Sequence, residues 1–444
     1  MFDFSKVDEE AKVDVLDINK RKKKVEKFNP KGEVSKRVNT SIVKAVEGTI
    51  NDILKIEEEL NELFIERENE IRMLTLAFIT GSNGFFHGPA GTGKSALVEE
   101  YRNRIEDCSY FRILMGKTTE PSEIFGPVSI NAMKNDIYKV NTKNKLPEAN
   151  ISFVDEIFKA NSAVLNNLLT IMNEKLFFNE EIQKVPLISL IGASNEYYEE
   201  DNLIALYDRF LLRWNIDYIN EPSNRITLFK NYLDRRRESS LLQENETVKM
   251  PVCKINIKDL MVINEKVKEI TISIKVLNTY NKLLNTLLRK NIVISDRRKN
   301  ESLKIVQAAA LLDGRDEAEI QDLEVLKYTL WTYEEDLAAI LEEVEKLANP
   351  NKNKLRNLKA TFEAYKKQLL DLEDNKGSDQ YVFNKTMAVT EIIKNINYGV
   401  NTINGILSSM KKEGRDNSKE FNDFMKLLND MEEYAENIKK DIVL

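Results

Sequence analysis

The octapeptide Gly88-Pro89-Ala90-Gly91-Thr92-Gly93-Lys94-Ser95 sets three glycines, a lysine and a hydroxyl at the spacing of a phosphate-binding loop. The glycines let the backbone curl closely enough to aim its N–H groups at phosphate oxygens. Lys94 can reach β- and γ-phosphates, and Ser95 can ligate a magnesium ion. The loop follows the apolar pair Phe85-Phe86 and runs into Ala96-Leu97-Val98-Glu99-Glu100. That stretch reads as the first turns of a helix, whose N-terminus adds partial positive charge. Residues Gly88, Pro89, Ala90, Gly91, Thr92, Gly93, Lys94, Ser95 and Ala96 are therefore expected to hold a nucleoside triphosphate.

Two further segments could complete a hydrolytic site. Ile151-Ser152-Phe153-Val154-Asp155-Glu156 is an apolar strand ending in two carboxylates. Asp155 can hold magnesium through water opposite Ser95, and Glu156 is placed to polarise an attacking water. Gly192-Ala193-Ser194-Asn195 ends the next strand, and adjacent parallel strands bring their carboxyl ends together. Asn195 could then orient the lytic water beside Glu156. The chain's single histidine, His87, abuts the loop; packing accounts for it more readily than catalysis.

These residues need a rigid frame. Phe111–Met115, Ile151–Val154, Leu187–Ile191 and Leu211–Trp214 read as buried strands alternating with helices, the pattern of a parallel sheet covered by helices. Helical spacing from Ser41 to Ile71 puts one or two helices before the loop. From Pro222 to Ala348 helices dominate, and Asn349-Pro350-Asn351 marks a break. Beyond it, three apolar stripes predict an antiparallel helical bundle: Leu355 to Leu372, Ile393 to Met410, and Phe421 to Ile438. Breaks at Asp374–Asp379 and Gly414 separate them. The expected divisions are a basic flexible arm (1–40), a nucleotide-binding domain (41–220), a helical lid (221–349) and a triple-helical module (350–444).

Composition narrows the class. The 444 residues carry a net charge of −7, with 42% hydrophobic and 31% charged residues, which suits a globular protein that does not coat nucleic acid. The basic run Lys20-Arg21-Lys22-Lys23-Lys24 is read as a solvated arm. Two cysteines, Cys108 and Cys253, form neither a disulfide framework nor a zinc spacing. With no apolar run of membrane-spanning length, a cytoplasmic location is expected.

In order along the chain, these motifs resemble the MoxR family of AAA+ ATPases, and within it the RavA branch. The resemblance rests on the phosphate-binding loop, Glu120–Pro127, Asp155–Ala160 running into Leu165–Glu174, Ala193–Glu196, Ala205–Arg213 and Ser295–Arg298, and it covers roughly residues 45 to 335. It implies an α/β fold, an AAA+ αβα domain with a parallel sheet followed by a helical lid, and ATP with Mg2+ as ligands. It further implies a homo-oligomeric ring, usually hexameric, with ATP between neighbouring subunits. Arg209 matches the arginine finger donated to the neighbour's γ-phosphate, with Arg213 as the alternative. Arg297 matches the lid arginine that senses nucleotide by contacting phosphate of the same chain, with Arg298 as the alternative. Segments 126–147 and 177–185 match inserts that face the ring's pore. Family members are commonly paired with a von Willebrand factor A (vWA) domain protein. The partner-binding domain that the RavA branch inserts among its C-terminal helices has no counterpart here, so its decarboxylase partner is not expected.

The leading expectation is an ATP-driven ring that remodels or chaperones protein partners. A nucleic-acid motor, favoured only by the basic arm, and a nucleotide-gated scaffold are the alternatives. The set Lys94, Asp155, Glu156, Asn195 and Arg209 argues against the scaffold, which needs no hydrolytic machinery.

Overall fold

The computed structural model describes residues 41–196, 201–241, 252–348, 350–373, 381–412 and 419–443. The basic arm (1–40), Asn349, the Asp374–Asp379 break and Gly414 lie outside the described residues. Five strands form a wholly parallel sheet: β1 (Gly84–His87), β2 (Tyr110–Leu114), β3 (Ile151–Asp155), β4 (Ser189–Ser194) and β5 (Leu212–Asn215). Their spatial order is β2-β3-β4-β1-β5. β4 runs three residues further than its apolar run suggested, because Gly192, Ala193 and Ser194 are small enough to continue in a buried layer.

Successive side chains on a strand point to opposite faces, so neighbouring residues feed different cores. Phe86, Phe153 and Ile191 enter one core, while Phe85, Val154 and Leu190 enter the other. The first core is covered by α1 (Ile42–Leu63), α2 (Glu68–Thr80) and α3 (Lys94–Arg102). From Met73 to Thr80 every residue of α2 is buried, as in a helix between layers, while its first turns carry Glu68, Asn69, Glu70 and Arg72. It stops at Gly81, whose φ of 61° supplies a left-handed cap. The second core is covered by α4 (Ser162–Glu174) and α5 (Asp201–Tyr207).

Helices α6 (Pro222–Leu241), α7 (Ile257–Val267), α8 (Ile274–Arg289), α9 (Asp296–Leu312) and α10 (Glu334–Ala348) make up the following region. Leu260, Leu283, Ile305, Trp331 and Ile340 from this region belong to the same core as Ile53 and Leu74 of α1 and α2. The helical region after residue 220 thus shares a core with the N-terminal helices.

Pro350 opens α11 (Pro350–Glu373) at the first helical position, where its missing N–H costs nothing. α12 (Tyr381–Lys412) and α13 (Lys419–Val443) complete a bundle with a core of its own, including Phe362, Ile396, Ile403, Phe424 and Met431. No helix among the described residues is long and apolar enough to cross a membrane.

Leu176–Phe178 and Ile182–Lys184 pair as an antiparallel hairpin within the expected 177–185 insert. The 126–147 segment carries a short helix, Ile130–Met133, and a bridge between Val128 and Val140. The two inserts hold each other. Val140 N–H donates to Asn179 Oδ1 at 2.7 Å, Asn179 Nδ2 returns a bond to the Val140 carbonyl at 3.1 Å, and Lys139 pairs with Glu180 at 2.9 Å. Ile130, Met133, Tyr138, Phe178 and Ile182 on these inserts are exposed.

Candidate active site

The loop after β1 has the curvature its glycines imply. Gly91 and Gly93 have φ of 80° and 84°, and Gly88 has φ of 148°. A Cβ on Gly88 would lie 2.0 Å from the Ile216 carbonyl oxygen, so no side chain fits there. Lys94, the first residue of α3, is buried, and its ammonium donates to the carbonyls of Gly88 (2.6 Å) and Pro89 (2.9 Å). Burial pushes its pKa down, while the charges of Asp155 and Glu156 pull the other way. Ser95 is half-buried one residue along.

Two residues that the motifs did not flag shape the loop. Arg67 donates to the carbonyls of Thr92 (3.4 Å) and Asp217 (2.8 Å), tying the loop to the segment after β5. The Tyr218 hydroxyl donates to the Ala90 carbonyl at 3.2 Å. Neither carries a sequence signal, since both act on a loop distant in the chain.

β3 delivers Asp155 at its last position and Glu156 just beyond. Glu156 adopts left-handed geometry, φ 53° and ψ 41°, a conformation that costs about 1 kcal/mol or more for a residue with a Cβ. Its N–H donates to Asp155 Oδ1 at 3.1 Å, and Lys159 Nζ lies 3.4 Å from its Oε2 without a hydrogen-bonding orientation. At the end of β4, the Ser194 hydroxyl donates to the Glu196 carbonyl at 2.7 Å, and this turn presents Asn195 exposed. The pairings His87↔Ser194 and Val154↔Gly192 bring these three strand ends to one edge. Loop N–H groups, one ammonium, one hydroxyl and a carboxylate suit a triphosphate with magnesium held by Ser95 and Asp155.

The arginines lie at the other edge. Arg209 precedes β5, and its carbonyl accepts from Asn83 Nδ2 at 3.4 Å, just before β1 begins. The β1 strand separates that point from Gly88 by roughly 15 Å. Arg209 Nε donates to Asn173 Oδ1 at 3.0 Å, and Arg297 Nη2 donates to the same oxygen at 3.1 Å. Arg297 therefore sits with Arg209 at the amino ends of the strands. The expected contact of Arg297 with phosphate of its own chain does not fit this placement, because the sheet lies between them. Sequence order hid this for Arg297, since where α9 docks on the sheet decides which edge it reaches.

The alternatives are held inside the fold. Arg213 is 1% exposed and donates to the carbonyls of Phe210 (3.0 Å), Trp331 (2.9 Å) and Tyr207 (2.7 Å). Its guanidinium also stacks 3.6 Å from the Tyr207 ring centroid. Arg298, equally buried, donates to the carbonyls of Thr329 and Trp331 and pairs with Asp208 at 3.4 Å. Arg297 and Arg298 are adjacent on α9, about 100° apart around the helix, so one faces out while the other faces in.

Comparison with known proteins agrees with this architecture. Residues 51–250 match the family described as the MoxR domain in the MoxR-vWA-beta-propeller ternary systems, and residues 269–344 match an AAA lid domain. An uncharacterized protein of Methanocaldococcus jannaschii is 38% identical over 297 residues, 66% of this chain and 74% of that protein. A second from the same organism is 37% identical over 297 residues and is covered to 75%. A structural protein of Acidianus two-tailed virus is 33% identical over 162 residues, 26% of its length. A crystal structure from Cytophaga hutchinsonii, described as a candidate ATPase, superposes with a TM-score of 0.54 at 19% identity, covering 69% of this chain and 97% of that one. That likeness speaks for the fold. With the phosphate-binding loop, the five-stranded parallel sheet and the lid in place, the chain belongs to the MoxR family of AAA+ ATPases.

Proposed function

We propose that this protein hydrolyses ATP at sites shared between neighbouring copies in a head-to-tail ring, hexameric as the family resemblance implies, and uses the cycle to remodel protein partners. One observation carries this reading: the phosphate-binding loop with Asp155 and Glu156 lies at one edge of the sheet, and Arg209 with Arg297 lies at the other. Gly88–Ala96, Asp155, Glu156 and Asn195 form the nucleotide-facing half. Arg209 and Arg297 form the other, and a neighbour's nucleotide is what they would meet in a heterologous interface.

In this scheme the loop N–H groups and Lys94 bind the phosphates, and Glu156 takes the proton from a water that Asn195 orients. Ser95 and Asp155 would hold magnesium, which would supply positive charge against the phosphate oxygens. Arg209 and Arg297 supply positive charge as the γ-phosphoryl group departs, a contribution worth several orders of magnitude in related GTPases. Residues 41–220, 221–349 and 350–444 would act as nucleotide domain, lid and assembly module. The exposed apolar residues of the joined inserts suit contact with protein clients. The matched family's description favours a vWA-domain protein as partner.

Complementation tests the shared site. Arg209→Ala and Glu156→Gln are each expected to bind ATP and to turn over slowly. Mixed, they rebuild sites that draw the base from one chain and the arginine from the next, so activity returns. Mixtures that form and exchange rings yet stay inactive would refute the two-chain site.

A further inference from the structure

A cavity of about 260 Å3 opens at the arginine-bearing edge of the sheet, with Asn173, Lys175, Arg209, Arg297 and Lys304 on its walls. Its charges do not cancel. Lys304 is paired with Glu301 at 2.6 Å, and Asp208 is engaged by Arg298. Arg209 and Arg297 share the neutral Asn173 oxygen, and Arg209 also donates to the Ala205 carbonyl at 3.2 Å, so neither is paired with a carboxylate in these bonds. Lys175 is the odd group. Its ammonium nitrogen is shielded from solvent and has no hydrogen-bond partner among the described residues.

A buried cation without a partner costs stability unless an anion completes it. Burial, with Lys304 nearby, pushes the Lys175 ammonium down to about 8, so it remains largely charged at neutral pH. Its backbone is constrained as well. Lys175 caps α4 in left-handed geometry, φ 55° and ψ 37°, and its carbonyl accepts from Val185 N–H at 2.8 Å. The residue thus stands where α4 gives way to the exposed hairpin. Three cations around one cavity, two sharing an amide oxygen and one with nothing, form a receptor for a compact polyanion.

We propose that Lys175 is a third cation, behind Arg209 and Arg297, whose charge acts on the terminal phosphates of the nucleotide bound by the neighbouring subunit. This rests on the two-chain site proposed above. It adds a residue that no motif identifies, fixed at the root of the hairpin.

Lys175→Met tests it, because methionine keeps most of the unbranched length and removes the charge. Turnover is expected to fall by about tenfold or more, the scale of losing one preorganised donor to a developing anion. Without nucleotide, the variant's melting temperature is expected to rise, since an unpaired buried charge is gone; a purely structural lysine would lower it. The deciding arm is a mixture with Glu156→Gln, which carries an intact Lys175. Recovered turnover places Lys175 in the neighbour's site. Turnover of Lys175→Met within twofold of the parent overturns the proposal. So does a defect that Glu156→Gln fails to complement while it complements Arg209→Ala in parallel. Failure to complement both would bring down the two-chain site itself, and this assignment with it.

Discussion

Replacing Arg213 by methionine separates a structural arginine from a reacting one. The guanidinium donates to the carbonyls of Phe210, Trp331 and Tyr207 and packs on the Tyr207 ring. Hydrogen bonds from a charged donor contribute about 1.5–3 kcal/mol each, so the gross loss over three is about 4.5–9 kcal/mol. Two effects reduce it. Trp331 O keeps a bond from Arg298 at 3.0 Å, and Tyr207 O keeps one from Phe210 N–H at 3.2 Å. Removing the charge also ends its desolvation penalty, which amounts to several kcal/mol in real interiors. The net expectation is a destabilisation of about 3 kcal/mol. The chain's two tryptophans, Trp214 and Trp331, both lie in or against the core that Arg213 braces. Urea unfolding followed by tryptophan fluorescence therefore reports this region, while the bundle stays silent. Arg209→Ala, on a half-buried residue, is expected to leave the same transition within about 1 kcal/mol while turnover collapses. A transition shifted by less than about 1 kcal/mol in Arg213→Met, with turnover abolished, would show that Arg213 reaches phosphate in the working assembly.

Two further outcomes follow from burial. Glu70 is buried beside Arg67, and desolvation, partly offset by Arg67, raises its pKa to about 7. Between the ordinary carboxylate pKa and that value the folded chain binds the extra proton, so stability falls as pH rises through this range, by up to about 3 kcal/mol. Glu70→Gln should flatten urea midpoints measured from pH 5 to 8 and exceed the parent at pH 8; parallel curves would refute the assignment. Phe362 is 2% exposed in the bundle core, so Phe362→Asp should cost several kcal/mol there. Helical signal should drop while ATP affinity measured by titration stays near the parent's; lost affinity would mean that the bundle supports the nucleotide site.

The nucleotide-facing half of the site was legible in the sequence because its chemistry is local. Gly88 to Ser95 are contiguous, and the Asp155–Glu156 pair ends a recognisably apolar strand. The bundle stripes were legible for the same reason, since helical spacing is a short-range signal. The arginine half was legible only as a list of candidates. Choosing Arg209 over Arg213 depends on which side chain the turn before β5 swallows, and a difference of four residues carries no periodic cue there. The same holds for Arg297 and Arg298. Arg209 takes its edge from its place just before parallel β5, whereas Arg297 takes its edge from where α9 docks, a long-range packing. Arg67 escaped notice because it serves groups far away in sequence, and Asn173, inside the Leu165–Glu174 motif, has no role of its own there until the fold brings Arg209 and Arg297 to it.

On the two-chain site proposed above, a donor edge and an acceptor edge on one body make genetic damage non-local. A subunit without Arg209 would keep its own nucleotide pocket whole and silence the pocket of the subunit before it. Poisoning a ring with such subunits then reads out how its sites communicate. If each site fires alone, activity declines in direct proportion to the poisoned fraction, so an equal mixture keeps about half. If firing passes around the ring, each defective subunit stops more than one neighbour, and the curve bends steeply below that line. An open chain of subunits behaves differently again, with one idle acceptor at its end and a specific activity that climbs as the chain lengthens.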